Sequence, residues 1–380
     1  MTDSLPADYI PELRERPPWL MEEMVAAEVG LVAPILASIE PASRISSLIK
    51  AALRDRAALV VTGCGTSETA AMAVADLIAE SLAKGGVRLP AVHVRQALEA
   101  GLNPWPGGLC IGISHEGSTR ATMLAMEAAR SAGASTALIT ARPNAPATEL
   151  ADAVFTTPLI DRSWCHTVGY LSPILAGAAI AGALSGTPVD GKRLEMSLAE
   201  TLTLGAQIEA LARAFADADR IVIVAAGVDR SAARELALKI EEGVWMPARM
   251  LELETILHGH LAACDSRTGL LIVATTAVDR LLARTRMVAG AAGRIGMTVG
   301  AVMSSEVSEK LGKDTGEQGV VLPKTLEAQG LIGRVAGLAV CLQKLTLALS
   351  SNAGTNPDLI RRQQEPYRAA AQTAESGGQW

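Results

Sequence analysis

The alternation of short apolar runs with helix-forming stretches constrains the fold of this chain more than any other feature. In the first half of the chain, the apolar runs lie at 58–62, 91–95, 109–113, 135–140 and 153–157. Helical patterns occupy most of the intervals between them. This order is typical of a parallel sheet covered by helices, because parallel strands need long crossover connections.

The second half of the chain repeats the pattern. Its corresponding runs lie at 221–226, 248–252, 270–275, 297–302 and 320–322. In each half, the first run leads into a glycine turn and a helix that begins with small residues, at 65–71 and at 227–233. Any two strand-to-helix turns look alike, but the matching order of strands favours an internal duplication. We therefore predict an α/β protein with two tandem domains, each a five-stranded parallel sheet flanked by helices.

The predicted boundaries are a helical segment at 1–54, a first domain at 55–190, a second domain at 191–350 and a C-terminal tail at 351–380. Helical stretches at 164–185 and 192–216 join the two halves, and a last helix is predicted at 327–351.

Composition excludes several classes of protein. Hydrophobic residues make up 49% of the 380 residues, which excludes a disordered chain. The net charge of −6 provides no basic field for nucleic acid or an anionic membrane, so we predict neither partner. Residues 163–189 carry no formal charge, but their glycines and polar residues favour a buried helix over a membrane span.

Cysteine usage and the N-terminus predict a cytoplasmic location. The five cysteines are scattered and form no CxxC pair, which indicates reduced thiols. The first residues contain no basic region followed by an apolar one, so no signal peptide is predicted.

Two polar glycine turns follow strands of the first half, at 63–67 (Gly-Cys-Gly-Thr-Ser) and at 114–122. Such a turn presents backbone N–H groups and the positive end of a helix dipole, which suits a phosphate or similar anion. Ser67 and Thr69 add hydroxyl donors. Glu68 stands where a dinucleotide fingerprint needs its third glycine, and the Gly-Lys-Ser/Thr of a P-loop is missing. A purely structural turn remains an alternative at this point.

A second group of candidates lies in the other half. Lys239 and Glu242 are three residues apart, so they share one face of a predicted helix. A solvated surface pair is the alternative, although apolar neighbours indicate partial burial. His258 and His260 form a His-x-His pair, but no third ligand has a suitable spacing. We therefore predict no metal and no other cofactor.

Together these motifs resemble the SIS (sugar isomerase) family, in particular the isomerase half of glucosamine-6-phosphate synthase and its stand-alone deaminase and deglycase relatives. Residues 63–67 are similar to the family's first phosphate loop, and 114–122 to the second, which in the family reads S-Q-S-G-E-T-A-D-T. Residues 237–259 align without a gap with the family's A-L-K-x-K-E … H-G-P segment. The resemblance covers residues 11–360 approximately.

The resemblance implies an aldose–ketose type of reaction. Glu242 matches the glutamate that shuttles a proton between C1 and C2 of the opened sugar. His258 matches a histidine that assists ring opening, commonly from the neighbouring subunit, and Lys239 matches a lysine that holds charge and sugar hydroxyls. The expected assembly is therefore a homodimer with shared active sites.

The resemblance also implies the substrate-binding residues. The hydroxyls of Ser67, Ser114 and Thr119 match ligands of the substrate phosphate, and the first loop adds Gly65 and Thr66.

Several site positions depart from the family pattern. Glu116 replaces a serine, which brings a carboxylate near the expected phosphate, and His115 replaces a glutamine and would offset that charge if protonated. His166 takes the place of the serine in the family's V-A-S-T-K segment, and Val168 that of its lysine. We predict that His115, Glu116 and His166 contact the substrate and that the substrate differs from that of the synthase.

The C-terminal segment also departs from the family. The lysine of the family's L-A-K-S tail falls near Glu365. Arg361 and Arg362 are either anion contacts or exposed arginines of a tail.

The predicted function is a sugar aldose–ketose isomerase, or an isomerising deaminase or deglycase, that acts on a phosphosugar or amino sugar. No glutaminase activity is expected, because no glutaminase domain or nucleophilic cysteine follows Met1. The alternative is a non-catalytic regulator that binds sugar phosphates, against which the presence of Glu242 and His258 argues. A dehydrogenase that uses the glycine turn at 63–65 is a third reading.

Overall fold

Two five-stranded sheets form the framework of the protein. The computed structural model describes residues 9–86, 92–316 and 318–376. The strands of the first sheet are β1 (Leu59–Gly63), β2 (His93–Gln96), β3 (Leu109–Ile113), β4 (Ser135–Thr140) and β5 (Ala153–Thr156). Those of the second are β6 (Arg220–Ala225), β7 (Ala248–Glu252), β8 (Thr268–Ala274), β9 (Thr298–Met303) and β10 (Gln318–Val321).

All the strand pairings in the two sheets are parallel. The strand order is β2-β1-β3-β4-β5 in the first sheet and β10-β9-β8-β6-β7 in the second. Counted within each half, these are the same order, as expected of a duplicated unit. The predicted α/β class with two tandem five-stranded domains is confirmed. The domain boundaries stay predictions.

Helices cover the sheets and join them. They are α1 (Leu20–Ala27), α2 (Val32–Leu36), α3 (Ile39–Arg54), α4 (Thr66–Lys84), α5 (Ala97–Leu102), α6 (Arg120–Ser131), α7 (Val168–Ser185), α8 (Gly191–Leu202), α9 (Gly205–Ala214), α10 (Asp229–Lys239), α11 (Asp279–Ile295), α12 (Ser305–Leu311), α13 (Lys324–Glu327), α14 (Gly330–Ala353) and α15 (Glu365–Ser376).

The strands lie on the predicted runs, with ends shifted by one or two residues. The first residue of the predicted run at 91–95 lies outside the described residues. Residues 1–8, for which no signal peptide is predicted, also lie outside them. The stretch predicted as helical at 192–216 is two helices, α8 and α9. The predicted polar tail contains α15 and a buried carboxylate, Asp358.

The core joins both sheets through four helices, α4, α7, α10 and α14, which pack against one another. A Cβ atom at Gly177 of α7 would lie 2.9 Å from Val74 of α4, so only glycine permits this close approach. Two helices, α7 and α14, are long and apolar enough to cross a membrane, but most of each is buried inside the fold. Their uniform hydrophobicity follows from contact with neighbours on every side.

The topology also determines where a site can form. In each sheet the strand order reverses between the first and third strands of the domain, and the crevice of an α/β protein opens beyond the carboxyl ends of those strands. In the first domain these are β1 and β3, the strands that end in the two polar turns.

Candidate active site

A cleft of about 350 Å³ opens at the carboxyl edge of the first sheet. It lies between the two polar turns, the end of α10 and the C-terminal segment. Its lining residues are Cys64, Gly65, Thr66, Ser67, His115, Glu116, Thr119, Trp164, His166, Gly169, Glu242, Ile360 and Arg362. A larger groove of about 710 Å³ runs between α1, α9 and α14, but the predicted site residues do not line it. The chemistry of the lining, rather than cavity size, identifies the cleft as the candidate site.

The first polar turn is shaped by close backbone contacts. A Cβ atom at Gly63 would lie 2.7 Å from the carbonyl oxygen of Ser67, so glycine is required where the chain turns into α4. The N-terminus of this helix, at Gly65 and Thr66, faces the cleft. The resulting positive potential suits an anionic group.

Two threonine hydroxyls of this region are hydrogen-bonded to α10. Thr66 and Thr69 donate hydrogen bonds of 3.1 and 2.5 Å to the two carboxylate oxygens of Glu235, on α10. The expectation that the Thr69 hydroxyl serves an anion in the cleft is therefore wrong. These bonds instead tie the first domain to the second, and they position α10.

The second polar turn begins at the end of β3. Ser114 is buried, and its hydroxyl donates to the Thr119 hydroxyl over 3.1 Å. Glu116 forms an ion pair with Arg142, which lies just beyond the end of β4. Arg142 is not among the predicted site residues, although its sequence position, just after the neighbouring strand, was an available signal. Arg142 compensates the Glu116 charge.

His115 cannot provide that compensation. Its Nε2 accepts the backbone N–H of Asp161 over 2.8 Å, so the ring is neutral and carries its proton on Nδ1. Burial, together with His166, lowers the pKa of His115 to about 3. The hypothesis that a protonated His115 offsets Glu116 is therefore wrong.

Asp161 and His166 form a pair beside His115. The Asp161 carboxylate is buried and accepts backbone N–H groups from Thr167 at 2.6 Å and Gly169 at 3.1 Å. The Nδ1 atom of His166 lies 3.8 Å from an Asp161 oxygen. Burial favours the neutral ring, but Asp161 favours the charged one, and the net result is a raised pKa for His166.

Lys239 and Glu242 meet at the second-domain side of the cleft. The Lys239 Nζ atom lies 2.5 Å from Glu242 and 3.4 Å from Glu235. Burial lowers the pKa of Lys239, but the two carboxylates outweigh it and raise the pKa above its ordinary value. Lys239 is thus a buried cation behind Glu242, and the alternative of a solvated surface pair is excluded.

The backbone at Glu242 is unusual. α10 passes into a π-helical turn at Ile240–Val244, after which Trp245 has a φ of 63°. Single π-helical turns occur frequently at functional sites. Here the turn carries Glu242 at the cleft.

The C-terminal segment closes one side of the cleft. The Asp358 carboxylate accepts the N–H groups of Leu20 and Met21 at the start of α1, each over 2.8 Å. The Asp358 carbonyl accepts the N–H of Trp164 over 2.9 Å. Ile360, with a φ of 42°, and Arg362 follow along the cleft wall.

The two C-terminal arginines have different surroundings. The Arg362 guanidinium lies 4.8 Å from the centre of the Trp164 ring, and both residues line the cleft. Arg361 stacks instead on Trp245 and Tyr367. Of the two arginines, Arg362 is the one that faces the cleft.

His258 lies apart from this cleft. Its side chain is 70% exposed, and its Nε2 lies 2.9 Å from Glu254. The structure therefore brings Glu242, Lys239 and the first-domain turns together within one chain, but not His258. Among residues 9–86, 92–316 and 318–376, no group of three or more His, Cys, Asp or Glu side chains has the arrangement of a metal site.

Comparison with known proteins is consistent with this geometry. The SIS domain family model matches residues 52–174, which include both polar turns and His166. Curated protein sequences returned no match.

Solved structures extend the likeness over both domains. The C-terminal domain of glucosamine-fructose-6-phosphate aminotransferase from Francisella tularensis has a TM-score of 0.76 at 18% identity, with 91% of this chain and 99% of that chain covered. Tagatose-6-phosphate ketose/aldose isomerase from Escherichia coli has a TM-score of 0.73 at 19% identity, with 93% and 98% covered. Glucosamine-6-phosphate deaminase from Thermotoga maritima has a TM-score of 0.67 at 17% identity, with 89% and 96% covered. At these identities the likeness shows the fold.

Proposed function

We propose that the protein is a sugar-converting enzyme, because residues 52–174 match the SIS domain family model and the chain has the fold of two such domains in tandem. The reaction is aldose–ketose isomerisation of a phosphosugar or amino sugar, or the isomerisation-linked loss of an amine. The observation that carries the proposal is the carboxylate of Glu242, which faces the two polar turns and contacts the buried Lys239.

The chemistry of isomerisation matches this arrangement. The open-chain sugar must lose a proton from one of two adjacent carbons and regain one on the other. A carboxylate in a partly enclosed cleft is suited to carry that proton. The buried Lys239 ammonium supplies a fixed positive charge behind Glu242, which favours the negative charge that develops on the enediolate in the cleft.

The cleft also has groups for an anionic substituent of the sugar. The first turn offers the N-terminus of α4 and the Ser67 hydroxyl, and the C-terminal segment offers Arg362. Because Glu116 is paired with Arg142, its charge does not oppose an anion at full strength. The structures of similar fold are named for 6-phosphate sugars, which supports testing phosphorylated hexoses first.

The exposed position of His258 supports a shared active site. We propose that the protein forms a homodimer in which His258 of the partner subunit reaches the cleft and assists ring opening. Such an arrangement is possible in a twofold dimer, where each subunit donates to the other the same residue that it receives.

The proposed function is tested by the turnover of a panel of sugars. The panel contains fructose 6-phosphate, tagatose 6-phosphate, glucosamine 6-phosphate and fructosyl-lysine with and without a 6-phosphate. The wild-type protein should convert at least one of them, and Glu242→Gln should lower kcat on it by about 10²- to 10⁴-fold. Glu241→Gln is the matched control, because Glu241 faces a different groove, and it should keep wild-type kcat.

Two results would overturn the proposal. One is turnover by Glu242→Gln at the wild-type rate. The other is a wild-type protein that converts no panel sugar although one of them raises its melting temperature, which would favour the regulatory alternative.

A further inference from the structure

His166 is an ionisable group that lines the cleft together with Glu242. The Nδ1 atom of His166 is shielded from solvent and has no hydrogen-bond partner. It lies 3.8 Å from the Asp161 carboxylate, which is itself fixed by backbone N–H groups. Since His166 is 29% exposed and lines the cleft, the open part of the ring is the edge away from Asp161.

The neighbouring glycine makes room for this arrangement. A Cβ atom at Gly169 would lie 3.3 Å from both His115 Cγ and His166 Nδ1. The two imidazole rings lie edge to face with their centres 5.5 Å apart. Packing from α7 therefore sets the orientation of the His166 ring as well as that of His115.

Isomerisation needs a second proton transfer besides the one assigned to Glu242. As the carbon-bound proton leaves, the carbonyl oxygen must gain a proton, and the adjacent hydroxyl oxygen must later lose one. Lys239 is a poor candidate for this exchange, because the carboxylates that surround it raise its pKa. His115 is excluded, because its Nε2 is occupied by the Asp161 N–H and its pKa is about 3.

We propose that His166, packed against Gly169 and beside the Asp161 carboxylate, is the group that exchanges protons with the two substrate oxygens. While Glu242 takes the proton from carbon, the C–H electron pair becomes the carbon–carbon double bond, and the carbonyl π pair moves to oxygen, which takes the proton from His166 Nε2. In the second half, the neutral His166 removes the proton from the neighbouring hydroxyl, and its O–H electron pair forms the new carbonyl. The pair of the carbon–carbon double bond then takes the proton from Glu242 at the former carbonyl carbon. His166 and Glu242 thus return to their starting states.

This assignment rests on the proposed function and adds a role that the Glu242 test does not probe. The charged and titratable groups that face His166 are Asp161, His115, Lys239 and Glu242. Asp161 favours the protonated ring, so His166 enters the reaction as an acid. Activity should fall as the pH rises through the pKa of His166.

The first measurement needs no substrate. In the full-length protein, the imidazole proton signals of the five histidines are followed by NMR against pH, and His166→Gln identifies the His166 signal. The pKa should lie above 6.5 and should fall in Asp161→Asn. A pKa below 6.5, or one that Asp161→Asn leaves unchanged, would overturn the proposal.

The second measurement uses the panel sugar that the wild type converts fastest. His166→Gln should lower kcat by about 10²-fold or more, with KM nearly unchanged, and should remove the alkaline limb of the pH profile. Asp161→Asn should move that limb to lower pH. His93→Asn is the control, because His93 packs on Trp105 outside the cleft.

A purely structural role predicts a different outcome. If His166→Gln unfolds, His166→Ala is assayed with added imidazole, which should restore turnover with a pH dependence set by imidazole. Wild-type kcat in His166→Gln, or failure of imidazole to restore turnover in folded His166→Ala, would overturn this assignment while Glu242 keeps its role. If Glu242→Gln is fully active, or no panel sugar is converted, the proposed function fails first and the role of His166 with it.

Discussion

At the scale of single residues, two histidines show how far environment separates identical side chains. His115 and His166 both replace residues of the family pattern, and the sequence predicts both as substrate contacts. In the structure the pKa of His115 is lowered to about 3, whereas that of His166 is raised. Burial favours the neutral form of both rings, but the Asp161 carboxylate lies beside His166 and outweighs burial there, whereas the Asp161 backbone N–H occupies the Nε2 of His115. Since Asp161 belongs to no motif, the sequence alone did not reveal it.

The two adjacent arginines give a prediction at the same scale. Arg362→Ala should raise KM for an anionic sugar of the panel by about tenfold or more, because a charge-assisted contact is lost. The change in kcat should be smaller. Arg361→Ala is the matched control, since Arg361 stacks on Trp245 and Tyr367 and does not line the cleft. Equal effects of the two substitutions on KM, measured by steady-state kinetics, would contradict the role of Arg362.

At the scale of elements, the duplicated strand-to-helix turns have diverged. The first domain leaves a cleft where β1 and β3 end. At the equivalent edge of the second domain, Asp229 of α10 accepts the N–H of Thr275 over 2.7 Å and also its hydroxyl proton. The space beside this carboxylate is only about 10 Å³. A side chain of the protein thus occupies the place that corresponds to the cleft of the first domain.

The buried Asp229 predicts a pH dependence of stability. Burial raises its pKa to about 6, so the folded state holds this proton more tightly than the unfolded state does. The stabilisation is complete below the unfolded pKa and is lost as the pH rises through 6. Compared with Asp229→Asn, the wild type should lose about 2 kcal/mol of unfolding free energy between pH 4 and 7, at about 1.4 kcal/mol per pKa unit. Urea denaturation of both proteins at several pH values measures this, and parallel curves would contradict it.

At the scale of the whole molecule, the sequence predicted the framework better than it predicted the cleft. Strand alternation and duplication predict both sheets, because burial makes parallel strands continuous apolar runs. The polar turns and the Lys239–Glu242 spacing predict most of the cleft, because these signals also lie between residues that are close together in the sequence. Arg142, Asp161 and Ile360 come together only through tertiary contacts between distant segments. The predicted polar tail is the clearest example, since its Asp358 is buried against α1.

The proposed dimer gives a prediction at this scale. Glu242→Gln and His258→Ala should each be inactive alone, but a refolded or coexpressed equal mixture should recover about a quarter of wild-type activity, because half of the dimers contain one intact site. The activity assay with the best panel sugar checks this. A mixture as inactive as its two components, although chromatography shows mixed dimers, would contradict the shared site.

The central claim is that Glu242 carries a proton between adjacent carbons of a sugar. Its most direct test is proton NMR of the best panel sugar incubated with the protein in D₂O. The wild type should replace hydrogen at C1 or C2 with deuterium, and Glu242→Gln should do so at least about 100-fold more slowly while it still binds the sugar. Deuterium incorporation by Glu242→Gln at the wild-type rate would contradict the account.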